Sequence, residues 1–306
     1  MKKSDVNTGG GDGQLYDCII IGAGPGGLQA AIYLGRYVRK ALIIDRGGGR
    51  TRHAKLIENF LTHKAITGNE IIDRAVEQVR SFGVEVEKGL VTSVQKKERF
   101  EVSTASRTYR SKFVIVSSGV YDHFPPIENL HDFLGKGFYT CVDCDGYKTK
   151  EKKLLVIGNT INSVRLAFAM KEMYTGDVTL NLLLYEPPGD YKEELENQGI
   201  RLIKGTPRRI IGTGTVEGVE FKDGARVPCE AIMSNFGYRL NDEFLSGLGL
   251  KQDAEGFKYA TNHHYESSMS GLYIVGPLNT GHDQVVIAAG EGAVAAIDIK
   301  SRLLEL

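Results

Sequence analysis

An α/β protein with two Rossmann-like nucleotide-binding domains is what this 306-residue sequence predicts. Three observations carry that expectation. A buried-type strand, Tyr16 to Ile21, runs straight into the turn Gly22-Ala23-Gly24-Pro25-Gly26-Gly27 and an apolar helix over Leu28 to Leu34. The same strand–turn–helix plan begins again at Lys152. Just before that second start lies Cys141-Val142-Asp143-Cys144, two thiols at the spacing of a redox or metal motif.

The elements follow in order. Lys40 to Asp45 reads as the second strand of an opening βαβ unit. Ile71 to Phe82 has apolar residues at helical spacing and stops at Gly83. Val84 to Val116 reads as a series of short strands. In the second half, Lys153 to Ile157 is a strand, Ile161 to Tyr174 a helix, and Val178 to Tyr185 a strand. A last block has a strand at Gly271 to Val275 and an Ala/Gly-rich helix, which looks like the return of the first domain. The expected organisation is a split first domain (14–122 and 243–306) with a second domain inserted (123–242). Residues 1–13 read as a disordered lead-in.

Composition narrows the function classes. The formal net charge is zero, which argues against a nucleic-acid binder. No apolar run approaches the roughly 18 residues of a membrane span. The start of the chain lacks the apolar core of a signal peptide. The expected compartment is therefore the cytoplasm. Four cysteines, only two of them close in sequence, do not make a disulfide scaffold. Zinc needs two further ligands at suitable spacing, and neither Cys18 and Cys229 nor the adjacent His263-His264 supplies them, so no metal is expected.

Gly22, Gly24 and Gly27 fit GxGxxG between strand and helix. Gly22 allows the tight turn, Gly24 lets backbone approach a pyrophosphate, and Gly27 lets the helix pack on the strand. The helix N-terminus offers unpaired N–H groups to the anion. Asp45 ends the next strand 18 residues after Gly27, where a carboxylate can bond a ribose hydroxyl.

From Tyr16 onward the chain resembles the low-molecular-weight thioredoxin reductase family of flavoproteins. Ile57-Glu58-Asn59-Phe60 is similar to the family's V-E-N-F segment, and Val114 to Gly119 to its A-T-G strand end. Gly135 to Tyr139 runs into the cysteines as G-R-G-V-S-Y does. Gln284 and Ala288 to Gly292 resemble its R-Q-x-x-x-A-A-G-x-G segment. The resemblance implies FAD as cofactor, with Pro25, Asn59, Gly119, Gly276, Gln284 and Val285 beside it. It also implies a homodimer whose two domains rotate against each other. Two departures stand out: Gly48-Gly49-Arg50 replaces G-G-Q, and Gly276-Pro277 replaces the G-D that contacts the ribityl chain.

For the redox pair, the resemblance implies that Cys144 meets the flavin and Cys141 attacks an external disulfide. Exchange runs through a mixed disulfide and needs a thiolate. Asp145 matches the family's acid and is expected to shuttle the proton. Asp143 between the cysteines would raise the thiol pKa values by like-charge repulsion and give a lower-potential pair.

The second nucleotide motif is degraded. It reads Gly158-Asn159-Thr160-Ile161-Asn162-Ser163, where the family has GxGxxA, and the H-R-R-x-x-x-R cluster that grips a 2′-phosphate is absent. Glu186, read as a strand-end acid, repels a 2′-phosphate yet suits a 2′-hydroxyl. The expectation is that NADPH is not the donor. The vacated pocket, with Gly158, Asn159, Thr160 and Glu186, is then a place for a second FAD or for NADH.

Three functional readings follow. The first is a flavin-dependent disulfide reductase acting on thioredoxin or a similar disulfide, fed by a ferredoxin- or flavodoxin-type donor. The second is a dithiol oxidase that passes electrons to oxygen. The third is a flavin-bound redox sensor with little turnover.

Overall fold

The computed structural model describes residues 14–305, so the expected lead-in over 1–13 lies outside the described residues. The chain divides into two compact units. One holds the described residues up to His53, Thr67–Tyr121 and those from Leu240 onward; the other holds Ala54–Ile66 and Asp122–Arg239.

In the first unit, parallel strands Glu85–Lys88, Ala41–Asp45, Leu15–Ile21 and Thr108–Val116 lie side by side in that order. The long Thr108–Val116 strand serves two neighbours. Its first half pairs antiparallel with Phe100–Thr104, and its last residues pair parallel with Leu272–Ile274. The chain thus returns from the second unit to the middle of the first sheet. Helices Pro25–Arg36, Gly68–Ser81 and Val285–Glu305 contribute Leu28, Leu34, Ile72, Val79, Ala296 and Ile299 to a core with Ile20, Ile43 and Ile115. The Gly68–Ser81 helix starts earlier than its apolar spacing suggests. Thr67 and Glu70 form a capping box there, each side chain bonding the other's backbone N–H.

The second unit has a five-stranded parallel sheet in the order Arg201–Ile203, Val178–Asn181, Leu154–Gly158, Ala231–Asn235 and Phe138–Tyr139. The Ile161–Met173 helix follows the Leu154–Gly158 strand. A three-stranded antiparallel meander completes the unit.

Two features differ from the sequence reading. The segment 54–66 groups with the second unit although it interrupts the first in sequence. Ile57 and Ile66 bridge to close it as a loop, and Glu58 is tied to Tyr147 and Lys148. The strand expected over Val178 to Tyr185 stops at Asn181. Leu183 takes a left-handed conformation (φ +52°) and the Tyr185 N–H donates to the Leu182 carbonyl at 2.8 Å, so the apolar run turns away from the sheet. The three leucines diverge in consequence: Leu182 is buried, whereas Leu184 is 93% exposed.

Candidate active site

The glycine turn of the first unit is locked from two sides. Gly22 has φ +101°, and a Cβ there would lie 2.4 Å from the Ser117 carbonyl oxygen. A Cβ on Gly27 would lie 2.3 Å from the Gly22 oxygen, so the helix can sit this close to the turn only with glycine there. The Ser117 hydroxyl accepts from the Gly27 N–H at 2.9 Å. Gly24 is the helix N-cap and brings no side chain over the first turn, which begins with Pro25.

A second helix N-terminus converges on the same place. The Val285–Glu305 helix crosses the Pro25–Arg36 helix at glycines: a Cβ on Gly292 would lie 2.0 Å from the Gly26 oxygen. The two starts border one cavity of about 480 Å³. It is lined by Gly22, Gly24, Pro25 and Asp45 of the opening βαβ unit. Gly119, Gly276, Gln284 and Val285 line it from the other side. Gly27 is not in the lining, consistent with its packing role, and neither is Asn59, which belongs to the 54–66 loop.

Asp45 is set at the cavity by two backbone donors, the N–H of Ala23 to Oδ1 and of Gly47 to Oδ2, both at 2.9 Å. Each oxygen keeps a lone pair for a further donor such as a ribose hydroxyl. Beneath Gly276, Glu291 is buried, and its Oε2 accepts from the Gly276 N–H and from Asn279 Nδ2 at 2.8 Å. Burial pushes this carboxyl up, against the pull of those two donors. Arg50, one of the departures from the family pattern, faces Asp283 at 3.7 Å, and Lys258 pairs with Asp283 at 2.9 Å. Two positive helix ends, a side-chain-free N-cap and a carboxylate at the strand end fit the diphosphate and ribose of a dinucleotide such as FAD.

In the second unit, Cys141 and Cys144 form a disulfide with Cα atoms 5.3 Å apart. Cys141 caps the single turn Val142–Asp145, and both cysteines are half-buried. Asp145 receives Lys148 Nζ at 2.9 Å, and the same ammonium reaches Glu58 at 2.6 Å. The Tyr147 hydroxyl donates to Glu58 at 2.7 Å. Lys148 and Tyr147 together hold the Glu58 carboxyl below the ordinary range. Burial works against the charge of Lys148, but its two carboxylate partners outweigh this and hold its pKa above the ordinary value. Glu58 was visible only as part of a flavin-side motif, and Lys148 carried no signal of its own. Cys18 and Cys229 are buried thiols, both raised by desolvation, Cys229 to about 12.

The second strand–turn–helix start, Gly158 to Ser163, sits at the matching junction of the second sheet. Ile21 pairs with Ile44 in the first unit, and Ile157 with Asn181 in the second. Gly158 then corresponds to Gly22, the N-cap Thr160 to Gly24, Ser163 to Gly27, and Leu182 to Asp45. Glu186 is not the strand-end acid. It lies beyond the turn after Asn181, exposed, in ion pairs with Lys192 at 3.0 Å and with Lys204. Asn159 and Thr160 are exposed. Among the described residues no cluster suited to a metal ion occurs, and no helix is long and apolar enough to cross a membrane.

A glycine-cradled dinucleotide cavity and a Cys-x-x-Cys disulfide in one chain define a nucleotide-dependent disulfide oxidoreductase. The family model for pyridine nucleotide-disulphide oxidoreductases matches residues 16–292, and the chain belongs to that family. It is a thioredoxin reductase-like FAD disulfide oxidoreductase with the low-molecular-weight architecture. Its relatives include thioredoxin reductase of Listeria monocytogenes, 27% identical over 96% of this chain and 95% of that one. Thioredoxin reductase of Aquifex aeolicus is 29% identical over 94% and 93%. The crystal structure of thioredoxin reductase from Streptococcus pyogenes superposes with a TM-score of 0.87 at 25% identity, covering 95% of this chain and 99% of that one.

Proposed function

We propose that this protein exchanges electron pairs between one FAD, held in the first unit, and the Cys141–Cys144 disulfide, towards thioredoxin or a similar disulfide, without using NADPH. FAD, when bound, supplies a two-electron carrier. The chain's own groups do the rest. Gly22, Gly24, Pro25 and Asp45 hold the diphosphate and ribose, while Gly119, Gly276, Gln284 and Val285 close the cavity's other wall. Cys141, as thiolate, attacks the substrate disulfide; its sulfur forms the mixed disulfide, and one substrate sulfur leaves. Cys144 then attacks Cys141, and the second substrate sulfur leaves as a thiolate that takes up a proton. Asp145, directly after Cys144 and matching the family's acid, is the carboxylate assigned to that proton.

The observation that carries NADPH independence is Leu182 at the position where the first unit has Asp45. A leucine there bonds neither a ribose hydroxyl nor a 2′-phosphate. Thr160 adds a side chain at the N-cap where the first unit has Gly24. The donor is then a small redox protein of the ferredoxin or flavodoxin type. The case for a second FAD weakens, because Glu186 already engages two lysines away from the strand end. Assembly as a homodimer is part of the proposal, from the family resemblance.

Anaerobic stopped-flow mixing tests the donor. Micromolar NADPH should leave the flavin absorbance unchanged on the turnover timescale; rapid bleaching would refute the proposal. Heat release of cofactor from purified protein should yield one FAD per chain.

A further inference from the structure

The turn that carries the cysteines is negatively charged in itself. Asp143 is exposed between the thiols, and Asp145 follows Cys144 directly. Lys148 stands one helical turn beyond Cys144, its side chain only 19% exposed. Its ammonium lies between Asp145 at 2.9 Å and Glu58 at 2.6 Å. The same ammonium lies 5.9 and 5.7 Å from the ring centres of Tyr139 and Tyr147. Tyr174, from the end of the following helix, packs against Gly146, where a Cβ would lie 2.7 Å from its ring. Charged and titratable groups around the turn include Asp143, Asp145, Glu58, these three tyrosines and Lys148. Among these groups Lys148 is the cation.

Reduction of the disulfide creates thiols that act as thiolates, and two carboxylates on the same turn disfavour that anion. A half-buried ammonium four residues beyond Cys144, held against Asp145, favours it, with less screening than an exposed charge would have. We propose that Lys148 is a positioning residue. Shared between Asp145 and Glu58, it offsets the acidic turn and sets how readily Cys141–Cys144 accepts an electron pair, and Glu58 regulates it by drawing part of its charge away. The inference rests on the reading that this disulfide exchanges with external thiols.

Dithiothreitol supplies the balanced reaction for the test. One thiolate attacks the protein disulfide and forms a mixed disulfide while a protein thiolate leaves. The second dithiothreitol thiol closes its own ring, so the protein gains two electrons and two protons. Full-length protein is equilibrated anaerobically with graded reduced and oxidised dithiothreitol, then alkylated and weighed by mass spectrometry. Lys148→Met should make the pair harder to reduce, lowering the exchange equilibrium constant about threefold or more. Glu58→Gln should shift it in the opposite direction, and Lys148→Arg should stay near the parent. Thiolate absorbance against pH should move in the same two directions. Lys148→Met and Glu58→Gln shifting together, as a merely loosened turn would produce, overturns the proposal; so does no shift in either. If the parent disulfide fails to respond to dithiothreitol at all, the redox reading itself falls, an outcome distinct from unchanged variants.

Discussion

The two units place the same junction, strand into turn into helix, at the same point of a parallel sheet, yet they equip it differently. In the first, Gly22, Gly24 and Gly27 are joined by Asp45 at the end of the next strand. In the second, Gly158 is followed by Thr160, Ser163 and Leu182. The surviving Gly158 has a packing reason of its own: a Cβ there would lie 1.9 Å from the Ser163 hydroxyl oxygen. A first glycine is thus retained by the strand–helix contact whether or not a nucleotide binds. The units part at Gly24 against Thr160, Gly27 against Ser163 and Asp45 against Leu182.

The sharpest way to break this comparison is to overfill both junctions. Gly27→Ala forces a Cβ to within 2.3 Å of the Gly22 oxygen and should strip most of the flavin, measured as FAD per chain after purification. Gly158→Ala should leave flavin content near one per chain and act instead on the stability of the second unit. Flavin loss from Gly158→Ala but not from Gly27→Ala would reverse the assignment of the two sites.

Next comes the buried carboxyl beneath the first cavity. Glu291→Ala leaves the Gly276 N–H and Asn279 Nδ2 without their acceptor and should cost about 1–3 kcal/mol in denaturant unfolding. Because burial raises the Glu291 pKa, the folded state holds that proton to higher pH than the unfolded chain does. Its stabilising contribution is full below the ordinary carboxylate range and is lost as pH rises through the raised value. Glu291→Gln should flatten that dependence; an unchanged pH profile would count against it.

The smallest effect is expected in the second unit. Glu186 pairs with two lysines on the surface, where ion pairs contribute little. Glu186→Ala should change neither flavin content nor the response to NADPH. A new, fast bleaching by NADPH in that variant would show that Glu186 alone had been excluding the nucleotide, and would return the strand end to the site.

Much of this was legible in the sequence, and for identifiable reasons. The Gly22–Gly27 turn, Asp45 and the Cys141–Cys144 pair are contiguous or lie one βαβ unit apart, so spacing reveals them. Leu182-Leu183-Leu184 reads as continued strand, so the sequence predicts the Val178 strand to run past its end at Asn181. Its end depends on a positive φ at Leu183, and a three-leucine run gives no sign of that. Glu58 and Lys148 are 90 residues apart, and no local pattern announces an ion pair across that separation.

The sequence by itself determined the two strand–turn–helix starts, the likeness to flavin-dependent disulfide oxidoreductases and the thiol pair, because glycine sterics, apolar periodicity and cysteine spacing act over short stretches of chain. Tertiary structure decided the rest. It brought the Gly26 and Gly292 helices into contact so that two helix ends face one cavity. It set Leu182 rather than Glu186 at the second strand end, and it placed Lys148 between Asp145 and Glu58. These depend on close packing between distant segments, where a single Cβ or one reversed dihedral decides which side chains meet.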